Sequence, residues 1–426
     1  MIFINKRFKY FFFFFVPFIV RILTCFYLIR IFKIGTYDIF IYIPVGVDYI
    51  NGLIRSNLNV FLENCEHPPL AKIIIGISVI LFSKILDEFK AAALSMIIIS
   101  SCIALIVYKI GNTIDKKTGF ISWLMYTFDP FSIHWTLAWL DIPMLFFLTA
   151  GIYYLFFRKK ENPTIAGILF GLAFLCKYTS IIIVVALILI YTIIKKMIFS
   201  KKSLLSLILS FSILLILNPQ YWNSKYFTQI LSRNEEVGNI NFPLIFHLPS
   251  NIYFTFWALS YIWAFSNNNV NTFPLIIDFI GFIIILYRYF QHKKLKYDLK
   301  ILSWLSATLL ILSILPKHYV YYNIIIIPPL SLFTATLITG RGERCIKYRY
   351  KLFFFLIPIG FLLALSILSV MFALIFPSGW LFIGDLIRNY RIFGIISIFA
   401  YIITFISCIW SIFFAYLFLF KNSIYF

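Results

Sequence analysis

Long apolar runs separated by short polar or charged segments make up most of the chain. A helix needs about 20 predominantly apolar residues to cross the hydrocarbon core of a bilayer. The pattern predicts about twelve membrane-spanning helices, although the run at 119–133 is short for a bilayer about 30 Å thick. The predicted spans cover residues 11–33, 91–109, 119–133, 136–157, 163–177, 179–194, 203–218, 272–290, 300–316, 320–339, 352–376 and 392–420.

One further apolar stretch, residues 70–86, is interrupted by Lys72 and Lys84. If this stretch and 91–109 both crossed the membrane, the lysines at 109–117 would lie on the side opposite to the other basic loops. We therefore expect 70–86 to form a helix at the outer membrane interface.

This assignment treats the chain as one integral membrane domain, residues 1–426, with two large extracytoplasmic segments. The first extracytoplasmic loop covers residues 34–90 and is expected to contain interfacial helices. The second covers residues 218–271, where tryptophan and tyrosine side chains are typical of a membrane interface. The predicted fold class is an all-α polytopic membrane protein.

The composition supports the same class of protein. The chain is 62% hydrophobic and 12% charged, with a mean hydropathy of +0.95, whereas a soluble domain is about half apolar and about a quarter charged. A cytosolic enzyme, a secreted disulfide scaffold and a disordered regulator are therefore excluded. The six cysteines are scattered without a CxxC pair, and we interpret them as structural residues.

The net charge of +21 is explained by the position of the basic residues. Most of the 37 lysines and arginines fall in short loops on one side of the predicted helices, which the positive-inside rule assigns to the cytoplasm. No nucleic-acid partner is needed to explain them. Both termini are then cytoplasmic in a multi-pass protein of the cell membrane. Most of the 16 acidic residues fall on or near the other side, so we expect an extracytoplasmic active site.

The most specific motif is Glu66 followed by His67-Pro-Pro-Leu-Ala-Lys72. Two prolines are well suited to the start of a helix, and Glu66 or His67 would then only cap that helix. This interpretation does not account for Asp38, an acid that directly follows the first predicted span.

The motif resembles the polyprenyl-phosphate-sugar-dependent glycosyltransferases of the GT-C class, which include the protein O-mannosyltransferases and the aminoarabinose transferases that modify lipid A. The resemblance covers most of the first 180 residues and implies a GT-C-like fold. It continues through Asp129-Pro, Asp141-Ile-Pro and a helix with Gly167 and Gly171 that ends at Lys177-Tyr-Thr. A weaker similarity extends to Tyr321-Tyr322 and Pro328-Pro329.

The sequence departs from this family at one position. Family members commonly carry Asp-Glu in the first loop, where this chain has Asp38-Ile39, so a role that needs both acids is in doubt. The chain also has no Asp-x-Asp and no Trp-Trp-Asp-Tyr-Gly motif. Metal dependence is therefore not implied by the resemblance.

Sugar transfer from a polyprenyl phosphate to a hydroxyl group needs a base that removes the acceptor proton. Asp38 is the candidate for this catalytic role. The leaving phosphate needs a fixed cation in a water-poor site, and Lys177 is the main candidate. The alternative for Lys177 is an interfacial lysine whose ammonium group extends to water.

Other polar residues are candidates for substrate binding. Glu66 and His67 are expected to orient the acceptor or the sugar hydroxyls. For Asp129 and Asp141 two roles are open. They are expected either to contact substrate or only to begin turns and helices beside prolines. The weaker candidates for the phosphate, each also a possible interface anchor, are Lys72, Lys317, His318, Arg388 and Arg391.

The leading hypothesis is an inverting membrane glycosyltransferase that uses a dolichyl- or other polyprenyl-phosphate sugar, with mannose as one candidate sugar. The donor is a substrate, and no cofactor is expected. The partners are the lipid bilayer, this donor, and an acceptor protein, lipid or glycan. One alternative is a lipid or solute transporter or flippase, although the acids cluster at one face and the two halves of the chain are dissimilar. The other is a family member without catalysis, because of Ile39.

Overall fold

The computed structural model describes residues 6–32, 39–128, 132–133, 135–137, 139–194, 200–223, 225–226, 296–314 and 324–339. Every regular element in these ranges is a helix, as predicted. The helices are α1 (Lys6–Phe32), α2 (Ile39–Ile54), α3 (Leu70–Phe82), α4 (Glu88–Ile114), α5 (Lys116–Phe128), α6 (Asp141–Ile152), α7 (Pro163–Cys176), α8 (Thr179–Ile194), α9 (Lys201–Leu217), α10 (Lys296–Ile314) and α11 (Ile327–Thr339). Short helical turns cover Leu58–Leu62, Trp135–Leu137, Tyr153–Phe157 and Pro219–Trp222.

Most predicted spans that fall on described residues coincide with helices within a few residues. For α5 and α11 the comparison stops at residues 128 and 324, because 129–131 and 320–323 lie outside the described residues. The predicted spans at 272–290, 352–376 and 392–420 lie outside the described residues. By length and composition, α4 is the one helix of the described part that is long and apolar enough to cross a membrane. The number of spans and their orientation therefore stay predictions.

Polar residues directly before apolar runs fix where several helices begin. Asp87, Asn162 and Ser200 are the N-cap residues of α4, α7 and α9. The side chain of each accepts a hydrogen bond from the backbone N–H three residues later. Such caps satisfy donors that have no partner inside the helix. Pro163 occupies the first turn of α7, where a missing N–H costs nothing.

The long helix α4 lies at the centre of the packed helices. It contacts α1, α3, α5, α6 and α11. Its side chains Met96, Ile97, Ala104 and Val107 are completely buried. The core is therefore built around α4, and the remaining helices extend it through their own neighbours, α2 on α3, α7 on α6 and α9, and α10 on α8.

Two glycines allow the close contact between α7 and α9. A Cβ atom at Gly167 would lie 2.8 Å from the carbonyl oxygen of Ser206, and one at Gly171 would lie 2.7 Å from Cβ of Ile213. Small residues spaced four apart allow helix backbones to approach closely. The glycines that carried the family resemblance therefore hold the helix that ends at Lys177 against α9.

A buried arginine binds the last turn of α5. Arg21 lies inside α1 with no exposed surface. Its guanidinium donates hydrogen bonds to the carbonyl oxygens of Tyr126 and Thr127, and to the hydroxyls of Ser100 and Ser132. The last carbonyls of a helix have no partner inside it. Arg21 thus satisfies the end of α5 within the packed core.

The described loops separate into two groups at opposite ends of α6 and α7. At one end, Lys202 forms an ion pair with Glu161 at 2.7 Å, and the ammonium of Lys300 donates to the carbonyl of Phe156. At the other end lie the first residue of α6 and the last residues of α7 and α9. The basic loops and the candidate site residues of this part of the chain therefore occupy different ends.

Candidate active site

A buried ion pair joins two of the predicted site residues. The ammonium nitrogen of Lys177 lies 2.8 Å from Oδ1 and 2.9 Å from Oδ2 of Asp141. Lys177 is 5% exposed and Asp141 is 3% exposed. This buried ion pair does not fit the alternative interpretation of Lys177, in which its ammonium group extends to water at the membrane interface. Asp141 does begin a helix, as one interpretation held, and its side chain also has this specific partner.

The local backbone explains how the two charges meet. Asp141 is in the first turn of α6, whereas Lys177 is the C-cap of α7 and has an extended backbone, with φ −160° and ψ 129°. Its N–H donates to the carbonyl of Ala173, which closes α7. The extended residue turns the chain from α7 into α8 and directs its side chain to the start of α6. The pair therefore fastens two neighbouring helix ends together.

Tyr178, which follows Lys177 in sequence, belongs to a group of three neutral polar side chains. The hydroxyl of Tyr178 is 2.7 Å from the hydroxyl of Tyr226 and accepts a hydrogen bond from Nδ2 of Asn218 at 3.2 Å. Burial raises the pKa of Tyr226 to about 12 and holds the pKa of Tyr178 well above its ordinary value. Both hydroxyls thus stay protonated and can donate or accept hydrogen bonds at physiological pH.

The predicted phosphate candidate Lys72 is completely buried beneath the first loop. Its ammonium donates to the carbonyl oxygen of Asn64 at 2.6 Å and to that of His67 at 2.9 Å. The same nitrogen lies 5.4 Å from the centre of the Tyr49 ring, within the range of a cation–π interaction. These contacts do not fit the alternative of an interface anchor, and they direct Lys72 towards the backbone of the loop.

The end of α9 is joined to the first loop by side-chain amides. Nε2 of Gln220 donates to the carbonyl oxygens of Phe61 at 3.2 Å and His67 at 3.1 Å. Nearer the surface, Nδ2 of Asn223 donates to Oδ1 of Asn59 at 3.1 Å. Because Asn218 of the same segment binds Tyr178, these contacts place the first loop and the ion pair at one end of the helices.

The His-Pro-Pro motif does precede a helix, because α3 begins at Leu70 with Pro69 as its N-cap. Pro69 itself makes no side-chain cap hydrogen bond, and the interpretation of Glu66 or His67 as a cap stays a prediction. Glu66 is exposed and His67 is half-buried, with its ring 6.4 Å from the ring of Tyr42 in an edge-on arrangement.

The remaining predicted site residues lie outside the described part of the chain. This group contains the catalytic candidate, and its members are Asp38, Asp129, Lys317, His318, Arg388 and Arg391. Within the part that the structure describes, no three His, Cys, Asp or Glu side chains are grouped as metal ligands.

Comparison with protein families supports the sequence resemblance. Residues 66–222 match the family model described as dolichyl-phosphate-mannose-protein mannosyltransferase. This segment begins at Glu66 of the motif, contains Asp141 and Lys177, and ends just after Gln220. The resemblance to the polyprenyl-phosphate-sugar enzymes is thereby confirmed over residues 66–222. A comparison with curated proteins gives no match.

Two solved structures are similar to the chain at low sequence identity. One is ArnT from Cupriavidus metallidurans in the apo state, with 13% identity and a TM-score of 0.47, over 82% of this chain and 66% of that one. The other is the archaeal oligosaccharyltransferase AglB from Archaeoglobus fulgidus in complex with an inhibitory peptide and a dolichol-phosphate, with 14% identity and a TM-score of 0.40. That match covers 76% of this chain and 48% of AglB. The chain thus spans less than two thirds of the length of AglB and slightly under two thirds of ArnT.

Proposed function

We propose that this protein is an integral-membrane glycosyltransferase that moves a sugar from a polyprenyl-phosphate donor to a hydroxyl acceptor on the extracytoplasmic side. The observation that carries this proposal is the buried Lys177–Asp141 pair, which lies at the same helix ends as the His-Pro-Pro turn. Both features fall within the segment that matches the mannosyltransferase family. The donor is a substrate, and the proposal includes no further cofactor.

The reaction is a single displacement that inverts the anomeric carbon. The acceptor oxygen forms a bond to that carbon while its proton passes to the carboxylate of Asp38. The bond between the anomeric carbon and the phosphate oxygen breaks, and the polyprenyl phosphate leaves with the bonding electrons. A phosphate is already a good leaving group, so it needs a nearby positive charge more than an acid.

Lys177 supplies that positive charge. Asp141 stabilises the ammonium in a buried position and fixes its direction, because two oxygens of one carboxylate face the same nitrogen. A preorganised charge in a site that excludes water stabilises developing negative charge more strongly than a solvated lysine does. In this proposal the phosphate of the donor binds beside the ion pair, and Glu66 and His67 orient the acceptor or the sugar hydroxyls.

The name of the matched family suggests which substrates to test first. We propose dolichyl-phosphate mannose as the first donor and a serine or threonine hydroxyl of a protein as the first acceptor. A lipid or a growing glycan is the next acceptor to test. We also propose that the active site faces the extracytoplasmic side and that both chain termini are cytoplasmic. Asp38 then belongs to the start of the first extracytoplasmic loop.

The decisive experiment is transfer from a radiolabelled polyprenyl-phosphate sugar by the purified protein in detergent or lipid. Asp38→Asn keeps the size of the side chain and removes the base, so transfer should fall about 100-fold or more. Asp48→Asn is the matched control, since Asp48 is an exposed acid on α2, and it should keep wild-type transfer. Retained transfer by Asp38→Asn would remove Asp38 from the mechanism.

One sequence observation favours a second candidate function. Ile39 replaces the second acid of the family pattern, which fits a protein that binds the donor and no longer transfers the sugar. Wild-type protein that binds the labelled donor but forms no product with any acceptor class would support this function. Product formation would exclude it.

A further inference from the structure

Three backbone carbonyls of the first loop converge on three buried donors. The carbonyl of Asn64 accepts from Lys72 and Tyr49, that of Phe61 from Gln220 and Tyr49, and that of His67 from Lys72 and Gln220. Each carbonyl thus faces two donors and each donor faces two carbonyls, with the single hydroxyl proton of Tyr49 shared between its two. We name this arrangement the carbonyl cluster; its members are Tyr49, Phe61, Asn64, His67, Lys72 and Gln220.

The donors of the carbonyl cluster come from three different parts of the chain. Tyr49 lies in α2, Lys72 in α3 and Gln220 in the helical turn after α9. Tyr49, Lys72 and Gln220 have no exposed surface. A buried polar group is costly unless it is hydrogen-bonded. An apolar core would hold these elements together without a lysine and an amide, so their presence calls for an explanation beyond packing.

The consequence of the carbonyl cluster is a fixed direction for the turn that carries the His-Pro-Pro motif. Because the carbonyls of Asn64 and His67 are held inwards, the backbone between them has little freedom to rotate. The side chain of Glu66 is exposed, and His67 is half-buried beside Tyr42.

Gln220 also sets the distance between this turn and the ion pair. Two residues earlier in the same helical turn, Asn218 donates to the hydroxyl of Tyr178, which is next to Lys177. A displacement of Gln220 would therefore move the His-Pro-Pro turn relative to Lys177. Reacting groups that are misplaced by about 1 Å can lose about 100-fold in rate.

We propose that Lys72 and Gln220 are positioning residues, which act through the carbonyl cluster to hold Glu66 and His67 at a fixed place relative to the Lys177–Asp141 pair. This inference rests on the proposed function. It assigns Lys72 to the backbone of the turn instead of to the phosphate of the donor. It also gives a role to Gln220, a neutral side chain that cannot attract an anion by charge.

The first test is steady-state kinetics of transfer with Gln220→Met and Lys72→Met. A positioning role predicts that both variants lower kcat by about 10- to 100-fold and change KM for the donor less than about threefold. Lys72→Arg, which keeps the cation and its donors, should recover part of the loss. Asn223→Ala is the matched control, because it removes the peripheral bond between the same two segments, and it should keep both constants. An increase of KM for the donor in Lys72→Met alone would indicate phosphate binding and overturn the proposal.

A double-mutant cycle distinguishes positioning from a general effect on the fold. If Lys72 and Gln220 act through the turn, Gln220→Met should lower kcat little further once Glu66 and His67 are both alanine, because the groups that it positions are gone. A residue that only stabilises the fold would lower kcat by the same factor in both backgrounds. The same factor in both would therefore overturn the proposal.

The second test does not depend on sugar transfer. Amide hydrogen exchange of the full-length protein reports local opening of the backbone. Gln220→Met should accelerate exchange in peptides covering residues 58–69 and leave that of α6 unchanged. Unchanged exchange in 58–69, or equal acceleration everywhere, would overturn the positioning role. Absence of product from the wild-type protein would count against the proposed function alone, because this exchange pattern is expected either way.

Discussion

The ammonium of Lys177 faces both carboxylate oxygens of Asp141, at 2.8 and 2.9 Å, across a separation of 36 residues in sequence. Neither residue has more than 5% exposed surface. Removing two charges from water costs several kcal/mol per ion, which their attraction offsets only with good geometry. Packed apolar residues would often be at least as stable. We therefore interpret this pair as an arrangement that serves function, because it offers no advantage in stability over apolar residues.

Breaking the pair should destabilise the protein strongly, and removing it entirely should not. Lys177→Met leaves the Asp141 carboxylate buried without this partner, so we expect a loss of about 3 kcal/mol or more in the free energy of unfolding. The double variant Lys177→Met/Asp141→Leu should recover most of that loss. Because neither charge is left, it should still fail to transfer sugar. Unfolding in detergent and transfer from the labelled donor measure the two effects separately.

The exposed pair of Lys202 and Glu161 provides the control for this prediction. Its side chains are 57% and 37% exposed, and exposed ion pairs contribute about 1 kcal/mol or less. Lys202→Met should therefore change stability little. A double variant at 141 and 177 with normal transfer would show that the buried pair has only a structural role.

The close packing of α7 on α9 gives a second prediction. Gly167→Ala would place a Cβ atom 2.8 Å from both Cβ of Leu209 and the carbonyl of Ser206, and overpacking of this kind costs about 1–3 kcal/mol. We expect a lower midpoint of thermal unfolding. Ile168→Ala changes the exposed face of the same helix and should change the midpoint less. Equal midpoints of thermal unfolding for both variants and the wild type would contradict the prediction.

The apolar pattern predicted a helix well where the bounds of that helix depend on residues near it in sequence. The apolar run and the Asn162-Pro163 start were enough to place α7 at Pro163–Cys176. The contact of Arg21 with the last turn of α5 was not predictable, because the two lie more than 100 residues apart in sequence. A sequence pattern gives no signal for such a contact.

The same reason limits how much of the candidate site the sequence can predict. Lys177 and Asp141 were each identified from motifs, but their pairing depends on how α6 and α7 pack. Lys72 was expected to bind an anion, and its described hydrogen bonds go to backbone carbonyls instead. Gln220 was missed because one amide at the end of a helix has no distinctive pattern. The Asn218-Pro219 turn beside it was the only available signal.

The buried guanidinium of Arg21 gives a third prediction. Arg21→Met removes the hydrogen bonds to the carbonyls at the end of α5 and to the hydroxyl of Ser100, and a hydrogen bond to a charged group contributes about 1.5–3 kcal/mol. We expect a large fall in the midpoint of thermal unfolding. Arg21→Lys should restore only part of it, since an ammonium has fewer donors and no planar fork. Leu23→Met, on the exposed face of α1, is the control and should have a small effect. Equal stability of Arg21→Met and the wild type would contradict this account.

The buried hydroxyl of Tyr226 gives a prediction for alkaline pH. Burial raises the pKa of Tyr226 to about 12, whereas an unfolded tyrosine has a pKa of about 10. Above pH 10 the unfolded chain therefore releases this proton first, so the folded state loses stability as pH rises from 10 to 12. The expected loss from this group is about 1.4 kcal/mol per pH unit.

Tyr226→Phe has no such proton and should show a shallower decline over this range when both proteins are unfolded in detergent. Below pH 9 the difference between the two proteins should not vary with pH, and an identical decline above pH 10 would show that Tyr226 ionises normally in the folded protein.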